Sequence, residues 1–403
     1  MRSSHVTSTC DDFCISLFIS RIKVFAFAVD VFGKYGTIIA EDKNFIRRKS
    51  IMKSVTVVKV GSLRDPNPET KGRVAVTDIP EQPLGDEDVR IKVAYCAICG
   101  SDPHLVENIF GWEPPFGLGH ELSGVITELG PKATKKGLKV GDRVAGNFLH
   151  FCGTCYYCQN GQQQFCTHAD ESNNPGMSET IVWHESQVYK LPDDVSLKTG
   201  CLLEPISIAV RLMDKVDLKI GQRVAVCGGG PIGLLALQAL HMSGASYITL
   251  IEPIEERHRL AIKYGADTVI DPMAEDVVKR GLALTNDLGY DVVIDCSGSP
   301  KAAYPLPQIC AKGGKLIYAA MYPNDWEMPL NLYKYCYYNE LTITGLYVAP
   351  YAFPRAAQML RKFDLEDFTN KIFDIDDAEG AFEAQISGKW PKILIRCNEI
   401  EGE

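Results

Sequence analysis

Hydrophobic and polar positions change rhythm twice along this chain. From Met52 to about Val144 short runs of alternating character, among them Val74 to Ile79, Val89 to Tyr95 and Ser123 to Glu128, are divided by Gly and Pro turns. Alternation with a period of two marks half-buried strands, so this stretch predicts a β-rich unit that opens at Met52-Lys-Ser-Val-Thr-Val-Val. From about Lys219 the pattern becomes strand, turn, helix, strand: Arg223 to Cys227, Pro231 to Ser243, then Tyr247 to Ile251. Further strand-like runs follow at Thr268 to Ile270, Asp291 to Asp295, Lys315 to Ala319 and Leu341 to Thr344, with helical patterns between them. That grammar predicts a parallel sheet covered on both faces, hence an α/β chain with a second, β-rich domain. Beyond about Gly345 an irregular Pro-rich stretch, a helical pattern and a final strand at Lys392 to Arg396 predict that the chain returns to the first domain.

The first 51 residues follow neither rhythm. Phe13 to Phe32 is apolar but interrupted by Arg21, Lys23 and Asp30, too broken for a membrane-spanning helix, and Asp11 and Asp12 stand where a signal peptide needs basic residues. Residues 1–51 are therefore expected to be a non-native or disordered extension, with Met52 as the natural start.

Composition narrows the picture. At 403 residues the chain exceeds the size of one core, and 46% hydrophobic with 23% charged residues is ordinary for a globular protein. A formal charge of −9, with basic residues scattered among more numerous acids, argues against nucleic acid as a partner and favours small solutes. The 14 cysteines include one dense cluster, and the others lie dispersed in apolar or Gly-rich surroundings, a usage that fits a reducing cytoplasm.

That cluster is Cys152, Cys155, Cys158 and Cys166. Two-residue spacings with a closing cysteine let four thiolates converge, the ligand set of a structural zinc; chance clustering and an iron–sulfur cluster are the alternatives. The bacterial ferredoxin pattern closes with a short gap and Cys-Pro, whereas here seven residues separate Cys158 from Cys166 and Thr167 follows, so zinc is preferred. Four protein ligands leave no open position, which assigns this metal to stability of the lobe 147–168 and sends the search for chemistry elsewhere.

Gly228-Gly229-Gly230-Pro231-Ile232-Gly233 directly follows an apolar strand and opens a helix. In that context Gly228 permits the tight turn, Gly230 the approach of a pyrophosphate and Gly233 close packing of helix on strand, while Pro231 opens the helix and the N–H groups from Ile232 onward meet the phosphates. Glu252 lies at the end of the next strand, nineteen residues beyond Gly233, where a carboxylate binds the adenosine ribose and repels a 2′-phosphate. This predicts NAD over NADP, with Arg257 and His258 close enough to touch the same region.

Cys99-Gly-Ser-Asp-Pro-His104 and Gly119-His-Glu-Leu-Ser-Gly124 carry further metal-type residues. Together with Gly130, Gly141-Asp-Arg-Val144, the cysteine cluster and the glycine loop, they resemble the zinc-dependent medium-chain alcohol dehydrogenase family from about Lys53 to Asn398. The resemblance implies a GroES-like catalytic domain over 52–208 plus 345–403 and a Rossmann doubly wound domain over 209–344. It also implies a catalytic zinc held by Cys99 and His120 with a carboxylate, from Glu121 or from Glu204 of Leu203-Glu-Pro205. Asp102 matches the acid that orients the imidazole ligand, Ser101 the hydroxyl that takes the alcohol proton, and His104 the outer end of a relay to solvent. Pro103 departs from the family's usual residue between them. Glu204, at a place where many alcohol dehydrogenases have Cys, looks like the sorbitol, butanediol and threonine branch. The implied activity is hydride transfer between NAD(H) and a secondary alcohol or ketone, a polyol or diol, by a homodimer or homotetramer carrying two zincs per chain.

Substrate identity is less sharply marked. Animal sorbitol dehydrogenases place an Arg-Tyr pair where Val348 and Ala349 stand here, and no basic cluster marks a phosphorylated polyol. Asn147, His150, Trp112 and Tyr347 are candidate pocket residues. A threonine-type or sugar-alcohol-phosphate dehydrogenase is the alternative within the reaction class; a catalytically silent binding protein on the same fold is the alternative outside it. Zinc-free quinone reductases and the primary-alcohol or glutathione-dependent formaldehyde enzymes fit less well, since they leave the cysteine sites or Glu204 unexplained.

Overall fold

The computed structural model describes residues 50–169 and 175–402. The expectations for residues 1–49 lie outside the described residues, while Ser50 and Ile51 belong to the fold: the Glu81 amide donates to the Ser50 carbonyl at 2.8 Å and the first strand starts at Ile51.

The sequence rhythm maps onto three sheets. β1 (Ile51–Lys59) pairs antiparallel with β2 (Arg73–Pro80) and with the short β4 (Phe116–Gly117). A mixed sheet is built around β3 (Asp88–Ala97), which pairs with β5 (Glu121–Leu129) and β7 (Thr180–His184); β6 (Arg143–Gly146) and β8 (Val188–Lys190) continue beyond β5. The third sheet is parallel: β9 (Arg223–Cys227), β10 (Tyr247–Ile251), β11 (Thr268–Ile270), β12 (Tyr290–Asp295), β13 (Cys310–Tyr318) and β14 (Thr342–Gly345) run in the order β11-β10-β9-β12-β13-β14. This is the doubly wound Rossmann order, with its topological switch between β9 and β12. Strand bounds at β9, β10 and β11 agree with the alternation to the residue; β13 starts earlier than expected, at Cys310, which pairs with Tyr290 before the ladder breaks and resumes with Lys315 opposite Val292.

The C-terminal segment runs back to the sheet of β3. β15 (Ile372–Asp374) lies beside β16 (Leu394–Arg396), and β16 pairs antiparallel with β3, Leu394 opposite Ala97. Ala97 is also opposite Glu121 on the other side, so one register position of β3 is flanked by a residue of β5 and a residue of the C-terminal strand. Separate apolar clusters fill the two halves. One packs Val55, Ile91, Leu122, Trp183 and Phe382; another joins the helices Leu203–Val216 and Pro231–Met242 to the parallel sheet through Leu212, Leu235 and Val226.

Gly124 sits in β5 against β3, where a Cβ would fall well inside contact distance of the Lys92 carbonyl oxygen and of the Ile91 side chain. A backbone atom cannot step aside as a side chain can. The variant Gly124→Ala should therefore lose about 1–3 kcal/mol of stability in urea unfolding; an unchanged midpoint would mean that the ladder yields there.

Candidate functional site

The ladder just described assembles the first cluster. Cys99 follows the end of β3, His120 immediately precedes β5 and Glu121 is its first residue, and their donor atoms lie within 4.8 Å of one another. Asp102, fully buried in the short helix Asp102–Val106, accepts from the Cys99 amide through Oδ2 at 2.7 Å and stands with Oδ1 3.7 Å from His120 Nδ1. With Nδ1 turned to Asp102, Nε2 is the nitrogen left for a ligand bond. Phe148 closes one side, its ring 4.9 Å from the imidazole.

Glu204 lies buried in the first turn of the helix Leu203–Val216, a place where the helix dipole favours a carboxylate. It is outside the set of donors within 4.8 Å, yet close enough to share its field. Burial pushes its pKa up to about 7, with Glu121 adding to the rise and His120 and Lys392 opposing it. Burial likewise lifts Asp102 to about 6 against the pull of His120. For His120 burial acts downward, but Cys99, Asp102 and Glu204 outweigh it and raise its pKa well above the ordinary value. A thiol and three carboxyl groups thus crowd one imidazole and one lysine, an arrangement that favours a cation.

That lysine is the residue sequence reasoning missed. Lys392 is 2% exposed and donates to Glu121 Oε1 at 2.7 Å, with Oε2 also 2.7 Å away. Burial works against its ammonium, and Glu121, Cys99 and Glu204 overcome it, leaving the pKa raised. The available signal was a lone lysine heading the apolar run Ile393-Leu394-Ile395. Among the described residues Asp102 Oδ1 accepts no hydrogen bond, whereas both oxygens of Glu121 face the Lys392 ammonium. Cys99, His120 and Glu121 supply one thiol, one imidazole and one carboxylate, three protein ligands that fit a zinc site with an open position.

The expected proton relay is only partly assembled. Ser101 precedes the helix bearing Asp102, but His104 is turned outward, exposed, with Nδ1 3.3 Å from Glu107 Oε2. Among the described residues no hydrogen bond joins Ser101 to His104, because the helical turn carries the imidazole to the outer face. Of the candidate pocket residues, Asn147 is held in a turn by the Leu149 amide, His150 stacks on His184 at 4.2 Å, Trp112 packs on Phe116, and Tyr347 is exposed.

The structure brings the four cysteines of the lobe together. Cys152, Cys155, Cys158 and Cys166 converge, with sulfur separations of 3.4 Å (Cys152–Cys166), 3.8 Å (Cys155–Cys166) and 4.0 Å (Cys152–Cys158). Four thiolates at about 2.3 Å from a tetrahedral zinc would stand about 3.8 Å apart. The Thr154 hydroxyl and the amides of Thr154 and Cys155 donate to Cys152, holding its pKa down at about 5.

The nucleotide loop lies at the C-terminal end of β9. Gly228 has φ 97° and a Cβ there would meet the Ser297 amide nitrogen at 2.8 Å, so this turn requires glycine. Gly233 packs against the Gly228 carbonyl, while nothing lies within 4 Å of a Cβ placed on Gly230. Gly230 therefore faces an opening at the start of the helix Pro231–Met242, where the amides of Ile232 and Gly233 have no intrahelical acceptor. Glu252 is buried, accepting from Gly229 N–H at 2.5 Å and from Ile254 N–H at 2.9 Å. Arg257 Nη1 stands 3.4 Å from Glu252 Oε2, and His258 Nε2 is 2.7 Å from the Glu252 carbonyl oxygen. Across the switch point, buried Asp295 accepts from the hydroxyls of Ser297, at 2.7 Å, and Tyr322. That Tyr–Asp pair was not legible in sequence, since Tyr322 lies 27 residues beyond Asp295, past the neighbouring strand β13.

Comparison with known proteins identifies the family. The alcohol dehydrogenase GroES-like domain matches residues 85–193 and the zinc-binding dehydrogenase domain residues 231–362. The D-arabitol-phosphate dehydrogenase of Enterococcus avium is 30% identical over 82% of this chain and 95% of its own length. The L-threonine 3-dehydrogenase of Pyrococcus furiosus is 31% identical over 83% and 98%, and the sorbitol dehydrogenase of Halalkalibacterium halodurans 30% over 80% and 96%. The crystal structure of a zinc-binding dehydrogenase from Clostridium scindens superposes with a TM-score of 0.81 at 33% identity, covering 86% of this chain and all of that one. The protein belongs to the zinc-dependent medium-chain alcohol dehydrogenase family.

Proposed function

We propose that this enzyme oxidises a polyol or diol at a secondary alcohol with NAD, and reduces the corresponding ketone in reverse. The observation that carries the reading is the Cys99–His120–Glu121 set, with Glu121 buried and buried Glu204 beside it, in the same chain as a glycine loop open at Gly230. Cys99, His120 and Glu121 would hold the catalytic zinc, which when bound supplies Lewis acidity toward the substrate oxygen. Asp102 orients His120, and Lys392 fixes Glu121. Ser101 Oγ, which is partly exposed, would accept the proton of the alcohol while its own hydroxyl proton passes to water. NAD, held at the glycine loop 228–233 and at Glu252, would supply the acceptor for the hydride that leaves the carbinol carbon as the alcohol becomes a ketone.

Glu252 takes the ribose hydroxyls and disfavours a 2′-phosphate. Arg257 supports this preference, because two of its nitrogens already donate to the Gly388 carbonyl. The division into a catalytic half, 52–208 plus 345–403, and a nucleotide half, 209–344, is supported by sheet membership, since β15 and β16 join the sheet of β3. A homodimer or homotetramer through the nucleotide half is supported by the free edge of β14 and by exposed Tyr333, Tyr337 and Tyr338 beside it. Every described cysteine is free, which supports a cytoplasmic setting, and among the described residues no helix is long and apolar enough to cross a membrane.

Three measurements test the reading. A panel of polyols, 2,3-butanediol, threonine and a sugar-alcohol phosphate, followed by the absorbance of the reduced cofactor, should show turnover of a polyol or diol; turnover of threonine or of the phosphate alone would overturn the substrate class. The variant Ser101→Ala should lower kcat about 100-fold or more and alter its pH profile, whereas His104→Ala should leave kcat near wild type. Full activity in Ser101→Ala removes the proton role. Replacing Glu252 with Ser should narrow the NAD over NADP preference about tenfold or more, each factor of ten corresponding to about 1.4 kcal/mol; an unchanged ratio contradicts the ribose assignment.

A further inference from the structure

Arg257 bridges parts of the chain that lie far apart in sequence. Its Nε and Nη2 donate to the Gly388 carbonyl at 3.1 and 2.8 Å, while Nη1 stands 3.4 Å from Glu252 Oε2. Gly388 closes the helix Ala378–Ser387 in the left-handed region, φ 67°, and a Cβ there would lie 3.1 Å from Arg257 Nη2. The next four residues run to the metal cluster. Trp390 lies beneath the Lys371 ammonium at 5.3 Å, Pro391 is buried with a ring-fixed φ, and Lys392 donates to Glu121. Immediately beyond, the Ile393 carbonyl accepts from the Ile98 amide at 2.9 Å. Four residues span at most about 14 Å, and this stretch is stiffened by its proline. One short strap therefore ends on the carboxylate set to meet the ribose, through Arg257, and on the carboxylate in the metal donor set, through Lys392.

We propose that Arg257 is a positioning residue for the metal centre: by clasping Gly388 it fixes the strap 388–392, so that nucleotide binding at Glu252 and metal retention at Glu121 reinforce each other. The inference rests on the dehydrogenase reading and adds to it a coupling between the two sites. Ribose hydroxyls that fix Glu252 also fix the partner of Arg257, and the ordered strap is then shared by both ligands. Such coupling must be reciprocal, since each ligand favours the same arrangement.

The test uses NADH fluorescence titration together with the rate at which a chromophoric chelator removes each metal from the purified protein, the four-cysteine lobe serving as internal control. The variant Arg257→Met should speed metal loss from the Cys99 site about fivefold or more, with loss from the lobe unchanged. Arg257→Lys, which can still donate to the Gly388 carbonyl, should recover most of that retention. In the other direction Lys392→Met should weaken NADH binding about fivefold or more although it is remote from the ribose, and Lys392→Arg should restore it. If Arg257→Met fails to fold, Gly388→Ala should displace the guanidinium and give the same faster metal loss. Weaker NADH binding in Arg257→Met with metal loss within about twofold of wild type overturns the coupling and leaves the dehydrogenase reading intact. Wild-type protein that binds neither NADH nor a second metal overturns both.

Discussion

A lysine buried at the end of the chain is the constraint on which the catalytic half depends. Lys392 and Glu121 are 2% and 1% exposed and paired at 2.7 Å, and neither charge could remain there alone. Removing one partner of a buried pair costs about 3–5 kcal/mol, since the other charge is stranded. The pair forms because Ala97 of β3 is flanked by Glu121 on one side and Leu394 on the other, two residues past Lys392. The return of the C-terminal strands to the sheet of β3 is therefore a requirement of the site, which places an ammonium against a carboxylate that also belongs to the donor set.

The same economy of placement holds at the nucleotide loop. The carboxyl group of Glu252 is fixed by two backbone amides, so its position is set by the turn and by β10 rather than by side-chain rotamer choice. Gly228 and Gly233 press the helix onto the strand while Gly230 stays open, which leaves space where an anion can meet unpaired amides. At the four-cysteine lobe the amides serve a third time, donating to sulfur and stabilising thiolate over thiol at Cys152.

The features most legible in the sequence were those whose chemistry sits within a few residues. The cysteine spacing, the glycine loop with Glu252 at its fixed distance, and strands β9 to β11 needed only local pattern. Lys392 was not legible, because its partner is 271 residues away and its own surroundings read as an ordinary strand. The separation of His104 from Ser101 was equally hidden. Their spacing is compatible with a relay, and only the direction in which the helix Asp102–Val106 projects His104 decides against a direct contact. Arg257 was legible as a neighbour of the ribose acid, while its grip on Gly388 depends on the chain's return 131 residues later.

In the proposed function the four clustered cysteines hold a structural zinc, and Cys99, His120 and a carboxylate hold the metal of the reaction. Zinc content per chain, measured on the purified protein and on its Cys99→Ser variant, separates the two sites. Two zincs per chain are expected in the native protein and one in the variant, with the fold intact. One zinc in the native protein, or two retained after Cys99 is replaced, would contradict that assignment.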